Sequence, residues 1–179
     1  MPSISEKALA MPASPIRKLV PFAEQAKLKG RTVYHLNIGQ PDIESPIESI
    51  EGIRQNELKL LKYEYSQGSH EYRTKLSNYY SKHNIDVTPE DIIVTVGASE
   101  AVSFTFSSIC DPGEEIIIPE PFYANYNGFA MASNVNVIPI TSKIQDNFSL
   151  PTISSFEEKI NENTKAIFLC NPCNPTGYV

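Results

Sequence analysis

Three short stretches bring together residue types that binding chemistry needs and residues that hold a backbone in place. The first is Thr95-Val96-Gly97-Ala98-Ser99-Glu100-Ala101. Gly97 allows a tight turn and close approach of the backbone to a ligand. If a helix starts there, the N–H groups of Ala98 and Ser99 are helix-start donors, the helix dipole favours an anion, and Ser99 adds a hydroxyl. A capped helix that binds nothing reads equally well from this string alone. The second is Pro119-Glu120-Pro121-Phe122-Tyr123-Ala124-Asn125-Tyr126, whose aromatic rings could stack on a flat ligand or simply fill a core. The third is Asn171-Pro172-Cys173-Asn174-Pro175-Thr176-Gly177. Its Asn-Pro pairs hold the preceding residues extended and bar a regular helix, so the Asn174 amide can be presented at a fixed angle.

Other candidates are weaker. Neither a Gly-Lys-Ser/Thr loop nor a Gly-x-Gly-x-x-Gly loop occurs around Gly97. Lys143, in Thr141-Ser142-Lys143, reads as a solvated loop lysine. Cys170 and Cys173 form a C-x-x-C, but a tetrahedral metal site needs further ligands, and a redox pair would be expected to open a helix. His35, His70 and His83 show no ligand spacing, so no metal is expected. Arg17, Lys18, Lys27 and Lys29 read as a solvated helix face.

The elements that must position the three stretches follow from periodicity. Residues 1–14 read as an arm. A helix is expected to open at Ser14-Pro15, to carry Ile16, Leu19, Val20, Ala23 and Ala26 inward, and to end at Gly30. Val33–Ile38 reads as a short extended run. Further helices are expected from Pro46 to Leu61 and from His70 to His83, the latter with Tyr72, Leu76, Tyr79 and Tyr80 on one face. Beyond residue 92 the pattern alternates. Ile92–Val96, Glu115–Pro119, Val135–Ile140 and Ala166–Cys170 read as strands, with helices near 98–109, 122–132 and 151–161. Such alternation implies an α/β fold with a mainly parallel sheet and helices on both faces. All three chemical stretches then follow strands, at the sheet end where open α/β folds bind ligands. The expected division is an arm and small-domain segment at 1–45, with the first part of a larger domain at 46–179.

Bulk composition narrows the class. The chain has 179 residues, 41% hydrophobic and 20% charged, with a net charge of −6. That balance argues against nucleic acid as the main partner. No apolar run is long enough to span a bilayer, and no secretory signal is visible, so a cytoplasmic protein is expected. With three cysteines, a disulfide framework is not expected.

In this order the three stretches resemble the class I/II aminotransferases, the aspartate aminotransferase-like branch of fold type I pyridoxal-phosphate enzymes. The resemblance runs through almost the whole chain. It includes Ser14-Pro15-Ile16-Arg17, Ile38-Gly39-Gln40-Pro41-Asp42, and Tyr63-Glu64-Tyr65-Ser66-Gln67-Gly68 with Tyr72-Arg73 following. It implies that Gly97, Ala98 and Ser99 bind the phosphate of pyridoxal 5′-phosphate. Tyr123 would stack on the pyridine ring, with Phe122 as the other choice. Asn174 would bond the ring hydroxyl oxygen and orient the substrate carboxylate, to which Gly39 offers its N–H. Tyr63, with Tyr65 as its rival, would reach the phosphate of the partner subunit in a homodimer. The family's Schiff-base lysine follows the Asn-Pro-Thr-Gly motif, so it is expected beyond Val179. The chain is therefore expected to be an N-terminal fragment with an incomplete sheet and no catalytic residue of its own. The implied activity is transfer of an amino group from an α-amino acid to a 2-oxo acid. A β-lyase or aminocyclopropane-carboxylate synthase-like enzyme, and a non-catalytic cofactor-binding module, remain as alternatives.

Overall fold

The computed structural model describes residues 2–57 and 59–179. They form two compact units, one made of residues 2–18 with Val96–Val179 and the other of the described residues of Leu19–Thr95.

In the first unit, β1 (Glu115–Glu120), β2 (Asn136–Thr141) and β3 (Thr164–Ile167) form a parallel sheet in the order β2-β1-β3. Ile116 pairs with Val137 on one side and Ala166 on the other, so β1 is the central strand. A central parallel strand is covered on both faces and reads as a continuous apolar run. Ile116, Ile117 and Ile118 meet that condition, all at 2% exposure or less. Ile116 and Ile118 share one face with Phe106 and Cys110, with Tyr126 and Ala130, and with Val135. Phe106 lies on α5 (Gly97–Ile109), and Tyr126 and Ala130 on α6 (Asn125–Ala132). Each fully buried Ile or Phe in this cluster contributes roughly 1.5–3 kcal/mol. By strand alternation Ile117 points to the opposite face. A short helix in the arm, α1 (Glu6–Ala10), is tied to α6 by Lys7, whose Nζ donates to the Ala132 carbonyl at 3.0 Å. The fold is α/β with a parallel, unclosed sheet, as the alternation of elements implies.

Several expected boundaries move. The strand expected at Ala166–Cys170 is observed at Thr164–Ile167, after which a single bond from Phe168 N–H to Ile117 O (2.9 Å) remains. The helix expected over 151–161 contracts to α7 (Ile153–Glu157), capped by Thr152, which accepts from the Ser155 N–H. Ile92–Val96 belongs to no sheet. Its Val94 N–H donates to Gln67 O at 2.9 Å, a point contact rather than a ladder.

The expected helix from Ser14-Pro15 is instead a 3-10 turn at Arg17–Leu19 followed by α2 (Val20–Leu28), which lies in the second unit. Pro21 sits in the first turn of α2, the one place in a helix where its missing N–H costs nothing. Gly30 closes the helix at φ 75°. Val33–Ile38 joins no sheet. The helix expected from Pro46 to Leu61 is α3 (Ile47–Arg54), which has no fully buried residue and so gains little packing to extend it. Leu58, within that expected helix, and Met1 of the arm lie outside the described residues. The helix expected from His70 to His83 is α4 (His70–Ser81), N-capped by Ser69. Its buried residue is Arg73, at 6% exposure, whereas Tyr72 and Tyr79 on the expected inner face are half exposed.

Candidate functional site

The first turn of α5 is shaped by Gly97, whose φ of 77° lies in the left-handed region that other residues avoid. A Cβ built there would meet nothing within 4 Å, so the space above the turn is open. Gly97, Ala98 and Ser99 are exposed. The Glu100 carboxylate turns back to accept the Val96 N–H at 2.6 Å. That fixes the entry of the chain into the helix and also places one negative charge beside the turn. At the far end, Phe106 anchors the helix, its ring 5.8 Å from that of Phe168. The turn thus offers backbone N–H groups, a hydroxyl and the positive end of the helix dipole on a rigidly packed support.

The loop after β1 turns through a cis peptide at Glu120-Pro121. Tyr123 is half-buried, edge-on to Tyr126 at 5.5 Å between ring centres, and its hydroxyl accepts from Asn125 Nδ2 at 2.6 Å. The ring is therefore held both against Tyr126 and at its hydroxyl. Phe122 packs toward Tyr126 as well, at 6.1 Å.

Tyr126 is the residue that the sequence reading did not single out. It is 8% exposed and edge-on to Phe168 at 4.8 Å. Its phenol is pushed up to about 12, first by burial and then by the Cys170 thiol bonded to it. The signal was present in the spacing, because Phe122 in the loop before α6 and Tyr126 and Ala130 within it follow at four-residue steps.

The loop after β3 contains two more cis peptides, Asn171-Pro172 and Asn174-Pro175. Gly177, at φ 72°, donates its N–H to Cys173 O at 2.7 Å, and the Cys173 N–H donates to Tyr178 O at 2.9 Å. These bonds close a tight turn that leaves Asn174 exposed. The Cys173 thiol donates to Pro121 O at 3.6 Å, joining this loop to the one after β1. Between the two loops is an apolar cavity of about 120 Å³, whose walls include Phe122, Tyr126, Phe168, Cys170 and Cys173. None of Gly97, Ala98, Ser99, Tyr123 or Asn174 lines it.

Gly39 and Tyr63 belong to the Leu19–Thr95 unit. Gly39 lies in an irregular stretch, and Tyr63 and its rival Tyr65 are both exposed. Within this unit, Arg73 ties together the segment leading from Tyr63 and the one leading to Thr95. Its Nε donates to Gly68 O at 3.1 Å and its terminal nitrogen to Pro89 O. Among the described residues no group of three or more His, Cys, Asp or Glu is arranged to hold a metal. None of their helices is long and apolar enough to cross a membrane.

Comparison with known proteins places this arrangement. The family described as aminotransferase class I and II matches residues 31–179. The (5-formylfuran-3-yl)methyl phosphate transaminase of Methanocaldococcus jannaschii is 32% identical over 98% of this chain and 46% of its own length. An aspartate aminotransferase of Pinus pinaster is 32% identical over 99% of this chain and 36% of its own. A single mutant of Thermus thermophilus aspartate aminotransferase superposes with a TM-score of 0.88 at 28% identity, over 98% of this chain and 46% of that one. The chain thus spans less than half the length of the relatives it matches. With the sequence match and the superposition in agreement, the chain belongs to the class I and II aminotransferases.

Proposed function

We propose that this protein is a pyridoxal 5′-phosphate-dependent aminotransferase that moves the amino group of an α-amino acid to a 2-oxo acid, as a cytoplasmic homodimer. The observation that carries the reading is the Gly97 turn. It pairs a backbone conformation that glycine favours with open space and an exposed serine on the first turn of a long helix. This donor set fits a phosphate monoester. The half-buried Tyr123 ring and the exposed Asn174 amide fit the flat heteroaromatic part of the same molecule.

Within this reading the Ala98 and Ser99 N–H groups and the Ser99 hydroxyl hold the phosphate, and Gly97 lets the backbone come close. Tyr123 sets the plane of the ring. Asn174 donates from its amide to the ring oxygen and, with the Gly39 N–H, orients the substrate carboxylate. Tyr63 reaches the phosphate in the partner subunit. When bound, the cofactor supplies a ring that delocalises the charge left on the α-carbon as its proton departs. The residues named here bind, orient and exclude alternatives. The lysine that moves the proton is placed outside residues 1–179, as the order of the family's motifs implies. The relatives' names mention aspartate and a formylfuran phosphate, so the proposal stops at the α-amino acid and 2-oxo acid class.

Titrating the chain with pyridoxal 5′-phosphate and, separately, with pyridoxal tests the binding half. The phosphate ester should bind more tightly, and equal affinity for the two would overturn the assignment of the Gly97 turn. Amino-group transfer is assayed on the product of the longest reading frame that includes this chain, with amino acid and 2-oxo acid pairs. Absence of exchange across the set would reject the aminotransferase reading.

A further inference from the structure

We infer that Cys170 and Cys173 form a reversible dithiol–disulfide pair, oxidised by low-molecular-weight disulfides, on the loop that carries Asn174. The inference goes beyond the aminotransferase reading and does not depend on it.

Both cysteines are free and half-buried, and both line the cavity between the loops after β1 and β3. The Cys170 thiol donates to Pro172 O at 3.3 Å. That carbonyl belongs to the peptide leading into Cys173, and in a trans peptide the oxygen lies roughly 3 Å from the next α-carbon. The Cys170 sulfur is therefore already beside its partner's backbone. Both side chains also face the same apolar cavity, whose walls include Tyr126. The pair does not open a helix, so no dipole activates it. Proximity is what qualifies it, and exchange should be slow.

The chemistry balances without a further reagent. One thiolate attacks a sulfur of the small disulfide and expels a thiolate, leaving a mixed disulfide on the protein. The second cysteine attacks that mixed disulfide and expels the other thiolate. Two electrons leave the protein, and its two thiol protons end on the two expelled thiols. The new bond also withdraws the Cys173 sulfur from Pro121 O, its link to the loop after β1.

Cys110 serves as the internal control, since it is buried in the core and burial pushes its thiol up. The full chain is equilibrated in glutathione buffers of increasing oxidised fraction, blocked with N-ethylmaleimide, unfolded and digested with trypsin. Cleavage after Lys165 releases both cysteines in one peptide, residues 166–179. The expected result is loss of both maleimides from that peptide, a mass about 2 Da below the dithiol form, and reversal by excess reduced glutathione. Cys170→Ser and Cys173→Ser should each leave a stable glutathione adduct on the remaining cysteine. Glutathione adducts on both cysteines of the unsubstituted chain, a bridge to Cys110, or two maleimides retained at every ratio would each overturn the proposal.

Discussion

Gly68 and Val94 touch so closely that a Cβ on Gly68 would sit 2.7 Å from the Val94 Cβ. Gly68 also has a φ of 94°, and the neighbouring Gln67 carbonyl accepts the Val94 N–H at 2.9 Å. Both space and backbone conformation thus call for glycine. Gly68→Ala should destabilise the Leu19–Thr95 unit by about 2–4 kcal/mol, combining overpacking with left-handed strain. Urea unfolding followed by circular dichroism measures this, and an unchanged midpoint would show that the contact relaxes freely.

Arg73 makes the complementary prediction. Its guanidinium is buried and is satisfied by the Gly68 and Pro89 carbonyls rather than by a carboxylate. Hydrogen bonds from a charged donor contribute roughly 1.5–3 kcal/mol each, so Arg73→Met should lower the urea midpoint by an amount near that of Gly68→Ala. The two substitutions share the Gly68 carbonyl region, so the double variant should lose less than the sum.

Tyr126 predicts an alkaline limb. Its folded value of about 12 lies above that of an unfolded tyrosine, so the folded state favours the neutral phenol. The resulting stability is fully present below about pH 10 and is lost as pH rises toward 12. Tyr126→Phe removes that dependence, leaving a shallower fall in unfolding midpoint across this range. Parallel slopes for the two proteins would contradict the assignment.

Ser99→Ala tests the turn at the start of α5. Losing one hydroxyl donor to a dianion should weaken pyridoxal 5′-phosphate binding roughly tenfold or more and leave pyridoxal binding unchanged. Isothermal titration with both compounds reads the difference directly.

Large apolar side chains predict association. Leu28, Leu36, Ile43 and Leu61 are each more than 80% exposed in the Leu19–Thr95 unit. Apolar surface on this scale favours self-association, so light scattering after gel filtration should show a mass that rises with concentration. A mass that stays monomeric at every concentration would mean these side chains find partners within the chain.

Sequence reading was strongest where the information is local. The run expected as a strand at Glu115–Pro119 is β1, the helix expected from His70 begins there, and Gly30 ends α2. It was weakest where the outcome depends on a distant partner. Ile92–Val96 has the composition of a strand, but it joins no sheet, and its Val94 N–H reaches the Gln67 carbonyl instead of a ladder. α3 has the periodicity to run further, but none of its residues is fully buried. At the candidate site, the Gly97 turn and the Asn-Pro strings stand out because glycine and proline restrict the backbone wherever they occur. Tyr126 and Arg73 do not stand out, because burial of a polar group is decided by what folds around it.

The sequence by itself determined where the chain must turn and which strings could hold an anion or present an amide. Those are properties of φ, ψ and side-chain type at single positions. Only the tertiary structure decided that β1 lies between β2 and β3, that Tyr126 stands at the centre of the loops, and that Cys173 bonds to Pro121. Each of these joins residues far apart in the chain, and such contacts form only when the whole set of buried surfaces is satisfied together.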